Sequence, residues 1–231
     1  MLAELHLEGL RVLDVGSGPG YLAAEMVEQG AEVVGVDVSG PMLEMAAELH
    51  PQIEFRTGDA TGLPFPDQSF DLVCSTQVLE YVSDIPVALS EFLRVLRPGG
   101  LTAILDTDWD SAVWSVDDRP RLRRILDAWE QHVADPHLPV RLAAELRAAG
   151  FLNIACRVIP IVNLEYDPER FGFGSSRNIE SYVLARKLVE PEVVAAWLAE
   201  LTAKNAAGSY FFSLNRYLFT AQAPESPAGG P

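Results

Sequence analysis

The sequence contains little cysteine and little positive charge. Two cysteines, Cys74 and Cys156, stand far apart in apolar runs, which predicts two buried thiols rather than a disulfide framework. The 17 Lys and Arg residues are outnumbered by 33 Asp and Glu residues, so the formal net charge is −16 at pH 7. No Lys/Arg cluster offsets this charge, and DNA, RNA and anionic membrane surfaces are therefore not expected as partners. The partner expected instead is a small molecule.

Long apolar runs and secretory features are also missing. No run approaches the length of a membrane span. The first residues, MLAELHLEGLRV, lack the basic start, apolar stretch and cleavage site of a signal peptide. A reducing cytoplasmic location is the expectation that follows. The chain has 231 residues, 48% of them hydrophobic, which suffices for one domain with a full core.

The first half of the chain alternates β-rich and helical segments. Predicted strands are RVLDVGS, AEVVGVDVS, IEFRTGDA, SFDLVCST and LTAILDTD. The helices predicted between them are YLAAEMVEQG, GPMLEMAAELH and IPVALSEFLRVLRPGG. Alternating strands and helices are typical of βαβ units, so an α/β fold with a parallel sheet covered on both faces is predicted.

The second half of the chain does not continue this regular alternation of strands and helices. Two helical segments are followed by a long strand pattern at 153–166, an irregular stretch at 167–178, two more helical segments and a closing strand pattern at 209–222. The tail APESPAGGP, residues 223–231, has the composition of a disordered end. We therefore expect a single domain over residues 1–222.

A glycine-rich turn follows the first strand in VLDVGSGPG, residues 12–20. A phosphate loop would end in Gly-Lys-Ser/Thr, which is absent. A dinucleotide site would place its third glycine three residues after the second, whereas Gly20 follows Gly18 by two. Taken alone, this pattern also fits a tight turn in any α/β protein.

Acidic residues end the next two strands. Asp37 closes the second strand, where a carboxylate can accept hydrogen bonds from ribose hydroxyls. Asp59 closes the third strand, where a side chain can meet an adenine edge. Asp14 precedes the glycines, where an acid would oppose a pyrophosphate. These positions predict a ligand that contains a ribose and an adenine but no phosphates.

Four segments together resemble one family. VLDVGSGPG, VVGVDVSGPMLEMA, IEFRTGDATGLPFPDQSFDLVCSTQVLEYVSD and EFLRVLRPGGLTAI resemble the class I S-adenosylmethionine-dependent methyltransferases. Within these, the chain is most similar to the small-molecule branch that includes ubiquinone and menaquinone C-methyltransferases. The resemblance covers residues 10–106 and is specific for fold and cofactor, not for substrate. It implies a Rossmann-like, seven-stranded sheet with helices on both faces and an antiparallel last strand.

The resemblance implies S-adenosylmethionine as the cofactor and assigns residues to its methionine end. Thr76 and Gln77 would face the methionine moiety. The residues whose backbone would run along the methionyl-adenosyl portion are Gly16, Ser17, Gly18 and Gly20.

The resemblance also assigns residues to the nucleoside end. Asp37 would bind the ribose hydroxyls, and Val38 and Met42 would flank the adenine. Asp59, with the backbone of Ala60, would bind the adenine amino edge.

Two departures from the family pattern concern the substrate side. In LEYVSD, Tyr81 stands where many relatives have an imidazole, which makes Tyr81 a candidate catalytic residue with phenolic chemistry. Only about ten residues precede the first strand, whereas relatives have an N-terminal helical cover. Residues 163–208, inserted between the last two strands, are expected to form a substrate lid in its place.

No catalytic base is identified from the sequence. Asp106, Asp108 and Asp110 in DTDWD are expected just past the fifth strand, at the sheet edge where such folds bind ligands. His132 and His137 in EQHVADPHLP are further candidates. No metal site is expected, because no histidine or additional acid is spaced to complete one around DTDWD.

The predicted function is methyl transfer to a small apolar or aromatic metabolite. The alternative is a protein of the same fold that binds the cofactor but only holds a ligand or catalyses a non-methylating reaction. An NAD-linked oxidoreductase is disfavoured by the glycine spacing. A homodimer is left open.

Overall fold

The computed structural model describes residues 6–225, which contain seven strands and seven α-helices. The strands are β1 (Arg11–Val15), β2 (Glu32–Asp37), β3 (Glu54–Thr57), β4 (Phe70–Thr76), β5 (Leu96–Trp114), β6 (Leu152–Asn163) and β7 (Phe212–Gln222). The helices are α1 (Tyr21–Glu28), α2 (Gly40–Leu49), α3 (Ile85–Val95), α4 (Arg119–Trp129), α5 (Leu138–Ala148), α6 (Phe171–Ala185) and α7 (Pro191–Ala206). None of the helices in residues 6–225 combines the length and the apolar composition that a membrane span needs.

The seven strands form one sheet in the order β3-β2-β1-β4-β5-β7-β6. The first five strands in chain order pair in parallel, as in the register Val12 to Val33 and Val12 to Leu72. Strand β7 is antiparallel. Its N-terminal end pairs with the far end of β5, because the Ser115 N–H donates to the Phe211 carbonyl. The Rossmann-like α/β fold with an antiparallel last strand is therefore confirmed.

The chain order of the strands reverses between β1 and β4. Strand β2 pairs with one side of β1 and strand β4 with the other. The connections that leave the carboxyl ends of β1 and β4 therefore run in opposite directions. In open α/β sheets this point forms a crevice that binds ligands.

Helix α3 shows how local sequence fixes an element. The Asp84 carboxylate accepts a hydrogen bond from the Val87 N–H at 3.2 Å, which caps the helix, and Pro86 follows in the first turn. Its apolar face, which includes Leu89 and Phe92, is fully buried. The helix ends at Val95 and β5 begins at Leu96, so the predicted helix over 85–100 was too long.

The chain divides into two compact units. Within the described residues, the first comprises 6–106, 138–157 and 217–225. Its core surrounds strands β1 and β4 and includes Leu13, Phe70 and Phe92. Ala223 belongs to this core and its N–H donates to the Gly100 carbonyl at 2.8 Å, so the ordered chain continues past residue 222. The rest of the predicted tail, from residue 226 onward, lies outside the described residues.

The second unit comprises residues 107–137 and 158–216 and has its own core. Trp197 of α7 is fully buried there, and its ring contacts that of Trp114 edge-on with centroids 5.7 Å apart. Phe212 of β7 packs on the other side of Trp114. Helices α4, α6 and α7 all contribute to this aromatic core.

Three further expectations are corrected by the structure. Strand β5 runs to Trp114, because DTDWDSAVW continues the extended pattern instead of leaving the sheet. The stretch FGFGSSRN, predicted to be irregular, forms the first two turns of α6. Cys74 is buried as predicted, but Cys156 is exposed, because β6 is the edge strand of the sheet.

Candidate functional site

A cavity of about 590 Å³ opens in the first unit at the carboxyl ends of β1, β2, β3 and β4. This is the edge of the sheet at which the strand order reverses. The lining residues are Val15, Gly16, Asp37, Val38, Gly58, Asp59, Ala60, Thr61, Gln77, Val78, Tyr81, Val82, Ser83 and Asp84. The volume lies in the range of small-molecule and cofactor sites.

The glycine-rich turn passes along this cavity. Gly16, Gly18 and Gly20 all have positive φ angles, of 71°, 50° and 82°. A Cβ atom on Gly16 would lie 2.2 Å from Val78 Cγ2, so the backbone can approach that side chain only without one. A Cβ atom on Gly18 would have no neighbour within 4 Å. The turn therefore packs tightly at Gly16 and leaves open space at Gly18.

Asp37 connects the end of β2 to the turn after β1. Its Oδ2 atom accepts a hydrogen bond from the Gly18 N–H at 2.9 Å, and its Oδ1 atom accepts one from the Ser39 N–H at 2.8 Å. Each carboxylate oxygen can accept a further hydrogen bond, because it has more than one lone pair. Asp37 is thus fixed by the backbone and still able to bind a ligand hydroxyl.

Asp59 is fixed in a similar way after β3. Its Oδ1 atom accepts hydrogen bonds from the hydroxyl and the backbone N–H of Thr61, at 2.7 and 2.8 Å. These two hydrogen bonds hold the pKa of the Asp59 carboxyl below its usual value, so the group is ionised at neutral pH. A second carboxylate is therefore presented at the same cavity.

The predicted cofactor residues divide into two groups. Those that line the cavity are Gly16, Asp37, Val38, Asp59, Ala60 and Gln77. Those that are not among the lining residues are Ser17, Gly18, Gly20, Met42 and Thr76. That any of these eleven residues binds the cofactor stays a prediction.

Several lining residues were not predicted. Val15, Gly58, Thr61, Val78, Val82, Ser83 and Asp84 also face the cavity. Val15, Gly58, Thr61 and Val78 have a positional signal in the sequence, because each lies within four residues of a strand's carboxyl end. Val82, Ser83 and Asp84 lie farther along the segment between β4 and α3.

Tyr81 is held at the cavity by a buried carboxyl group. It ends a short 3-10 helix, Leu79–Tyr81, and Asp106 Oδ1 accepts hydrogen bonds from the N–H groups of Val78 and Glu80 at 3.1 and 3.5 Å. Partial burial and the nearby carboxyl groups of Glu80 and Asp106 raise the pKa of Tyr81 to about 12. At neutral pH the phenol is therefore protonated and can donate a hydrogen bond.

Asp106 itself does not lie where the sequence suggested. It is fully buried inside β5 and does not line the cavity, because the strand continues to Trp114. Burial, and then the charge of Glu80, raise its pKa well above the usual value despite the hydrogen bonds that it accepts. Asp106 thus supports the turn that carries Tyr81 and is not positioned to bind a ligand directly.

The other acids of DTDWD lie in the second unit beside His137. His137 Nδ1 lies 3.1 Å from Asp108 Oδ1 and 3.7 Å from Asp110 Oδ2, and its Nε2 lies 3.9 Å from Glu130 Oε2. Burial lowers the pKa of His137, but the hydrogen bond to Asp108 and the neighbouring carboxylates outweigh this effect and raise it. The sequence analysis found no histidine or further acid that could complete a metal site around DTDWD. The structure corrects this, because His137 and Glu130 lie close to Asp110.

His132 is part of an aromatic cluster in the second unit. Its ring stacks on Trp129 with centroids 3.6 Å apart and contacts Trp109 and Tyr182 edge-on. Burial lowers the pKa of His132, so the ring is neutral at neutral pH. Its contacts are those of a packed side chain.

Comparisons with known proteins agree with this geometry. A protein-family profile described as a methyltransferase domain matches residues 13–104. An uncharacterised 37.1 kDa protein in transposon TN4556 of Streptomyces fradiae is 34% identical over 229 residues, which are 93% of this chain and 63% of that protein. Demethylmenaquinone methyltransferase of Chlorobaculum parvum is 42% identical over 108 residues, 45% of each chain. The chain thus spans less than two thirds of the length of these relatives.

A solved structure supports the fold over most of the chain. The YcgJ protein of Bacillus subtilis superposes with a TM-score of 0.65 at 21% identity, covering 97% of this chain and 95% of that protein. The matched profile begins in β1 and ends in β5, so it contains every residue that lines the cavity. Residues 13–104 are therefore similar to a methyltransferase domain, in agreement with the resemblance of this segment to the class I S-adenosylmethionine-dependent methyltransferases.

Proposed function

We propose that this protein binds S-adenosylmethionine in the cavity of the first unit and transfers its methyl group to a small apolar or aromatic metabolite. The observation that carries the proposal is the pair of carboxylates, Asp37 and Asp59, that end β2 and β3 at one cavity. Among the residues that line it there is no Lys, Arg or His. These carboxylate acceptors fit ribose hydroxyls, an adenine amino group and a positive sulfonium, and they oppose a pyrophosphate.

The proposed cofactor contacts follow from this geometry. Asp37 would accept hydrogen bonds from the two ribose hydroxyls with its remaining lone pairs. Val38 would flank the adenine, and Asp59, with the backbone of Ala60, would bind its amino edge. The open space over Gly18 would allow the ligand to lie against the backbone.

Methyl transfer from a sulfonium requires mainly that the protein align the two reactants. When bound, S-adenosylmethionine supplies an electrophilic methyl group on a sulfonium. Methyl transfer needs the acceptor atom in line with the breaking bond, and the protein contributes by holding both reactants in that geometry. Tyr81 would donate its phenolic O–H to an acceptor oxygen, and its raised pKa prevents it from acting as a base at neutral pH.

A neutral acceptor suits this cavity best. Asp37, Asp59 and Asp84 line it without a basic side chain, so a substrate carboxylate or phosphate would find no cationic partner in the lining. The Chlorobaculum relative is a demethylmenaquinone methyltransferase, which is consistent with a neutral acceptor here. The net charge of −16 opposes nucleic acid, and two free thiols fit a reducing cytoplasm.

The proposal is tested by identifying what the protein binds. We expect mass spectrometry of the purified full chain to detect S-adenosylmethionine or S-adenosylhomocysteine, and calorimetry to measure one site for each. S-adenosylhomocysteine in the purified protein would indicate turnover. A further experiment uses S-adenosylmethionine labelled in its transferable methyl group, incubated with demethylmenaquinone analogues. If the bound cofactor keeps its labelled methyl group, the non-methylating alternative is favoured. Absence of binding to either compound would contradict the proposal.

A further inference from the structure

The second unit contains a histidine surrounded by carboxylates. Asp108 and Asp110 lie on one face of β5, because side chains two residues apart point the same way. Glu130 begins the short 3-10 helix after α4, and His137 directly precedes α5. We propose that Asp110, Glu130 and His137 bind a divalent first-row transition metal ion such as Mn²⁺ or Zn²⁺.

The distances between the ligand atoms fit a single ion. One ligand atom from each of Asp110, Glu130 and His137 lies within 4.8 Å of the other two. Metal bonds of about 2.1 Å would place tetrahedral ligand atoms about 3.4 Å apart. The 3.9 Å between His137 Nε2 and Glu130 Oε2 needs only a small side-chain rotation to reach that separation. Asp110 Oδ2, which lies 3.7 Å from the other ring nitrogen, Nδ1, would rotate toward Nε2 to complete the site.

Two of the three ligands, His137 and Asp110, are each held by a partner on the side away from the ion. His137 Nδ1 lies 3.1 Å from Asp108 Oδ1, which can fix the ring as the Nδ1–H tautomer and leave Nε2 toward Glu130. A carboxylate behind a histidine in this way is the usual arrangement around a bound metal. Asp110 Oδ1 accepts from Arg123 Nη1 at 3.1 Å, which leaves Oδ2 toward His137.

The charge of the surroundings also favours a cation. The acids at this place are Asp108, Asp110, Asp127, Glu130 and Asp135. Arg123, which pairs with both Asp110 and Asp127, and at most a protonated His137 oppose them. The negative charge therefore exceeds the positive charge by about three, and a divalent ion would reduce that excess.

The ligand types select the class of metal. Imidazole nitrogen is a good ligand for first-row transition metals, whereas Mg²⁺ and Ca²⁺ prefer oxygen ligands alone. A bound ion would connect β5 with the segments before and after residue 135, and would stabilise the second unit. This site is independent of the proposed methyl transfer, since none of its residues lines the cavity.

The test is metal binding to the tag-free full chain after treatment with a chelator. Mn²⁺ is the first probe, because the exposed Cys156 thiol is a soft ligand that binds Zn²⁺ in preference to Mn²⁺. We expect the electron paramagnetic resonance signal of free Mn²⁺ to report one site per chain. Asp110→Asn and His137→Gln should each weaken binding at least tenfold. The matched control is Asp127→Asn, an acid on α4 that pairs with Arg123 but is not a proposed ligand.

A second measurement needs no variant. Bound Mn²⁺ should broaden the amide resonances around residues 108–110, 130 and 137 in the unaltered protein more than those of other segments. Absence of a stoichiometric site, broadening centred elsewhere, or equal binding by Asp110→Asn, His137→Gln and the control would overturn the proposal.

Discussion

The Asp37 carboxylate accepts a hydrogen bond from the Gly18 N–H at 2.9 Å. This contact joins the carboxyl end of β2 to the middle of the glycine-rich turn that follows β1. The same side chain lines the cavity, so one residue both shapes the turn and is presented to a ligand. Any substitution of Asp37 should therefore change the binding surface in two ways at once.

The first prediction concerns Asp37→Ala. The substitution removes the acceptor proposed for the ribose hydroxyls, which costs roughly 1.5–3 kcal/mol of binding free energy. It also leaves the Gly18 N–H without its partner, which weakens the turn. We expect affinity for S-adenosylmethionine, measured by calorimetry, to fall at least tenfold while circular dichroism stays unchanged. The matched control is Glu44→Gln, an exposed carboxylate on the nearby helix α2, which should bind normally. Equal affinities for both variants would contradict the role assigned to Asp37.

The second prediction compares two glycines of the same turn. Gly16→Ala and Gly18→Ala both force a residue with a side chain to a positive φ, at a cost of about 1–2 kcal/mol each. Only the Cβ atom at position 16 would overlap Val78, at 2.2 Å from its Cγ2 atom. Chemical denaturation should therefore show that Gly16→Ala loses roughly 1–3 kcal/mol more than Gly18→Ala.

Val78 provides the control for this comparison. If overlap causes the extra loss, Val78→Ala should recover most of it in the Gly16→Ala protein and none of it in the Gly18→Ala protein. Additive effects in both double variants would show that the difference has another origin.

The sheet and the glycine-rich turn could be predicted because their signals are local. A buried run ending in glycines, followed by Asp37 at the end of the next run, defines βαβ units and brings their carboxyl ends together. Gly16, Asp37 and Asp59 are therefore found at the cavity from their positions in the sequence alone.

The environment of the later acids depends on contacts between distant segments. Asp106 and Asp108 are two residues apart in the sequence, yet one is fully buried beneath the turn at Tyr81 and the other contacts His137. The predicted end of β5, at residue 108, was too early, because acidic residues are uncommon within strands and DTDWD was therefore interpreted as a loop. The separation of 27 residues between Asp110 and His137 likewise concealed their contact.

The third prediction concerns pH and Asp14. This residue is buried in β1, and burial, followed by the charge of Asp37, raises its pKa from 3.8 to about 7. Between these values the folded state holds a proton that the unfolded state has lost, so the contribution of Asp14 to stability falls as pH rises from about 4 to 7. Asp14→Asn removes this loss. The Tm of the variant should exceed that of the unaltered protein by a margin that grows over this range and is constant above pH 8.

Asp71 offers a control for which the expected dependence of stability on pH has the opposite sign. Burial alone would raise its pKa, but hydrogen bonds from the Arg11 N–H and the Arg97 side chain lower it instead. Asp71 therefore stabilises the fold above its unfolded pKa and loses this effect as pH falls. Asp71→Asn should cost more stability at pH 7 than at pH 4. Parallel pH profiles for the two variants would contradict at least one of the two assignments, and comparison with the unaltered protein identifies which one.

The last prediction is that residues 163–208 form a substrate lid. In the second unit this segment contains α6 and α7, and the glycines of FGFGSSRN, predicted to be irregular, lie in the first turns of α6. Trp197 and Val183 are fully buried in the core of this unit, which gives the segment internal packing of its own. A lid should exchange its amide hydrogens quickly in the empty protein and become protected when ligand binds. Hydrogen–deuterium exchange with and without S-adenosylhomocysteine and a demethylmenaquinone analogue measures this directly. Slow exchange over 163–208 in the empty protein, with no change on adding either compound, would instead identify a fixed wall.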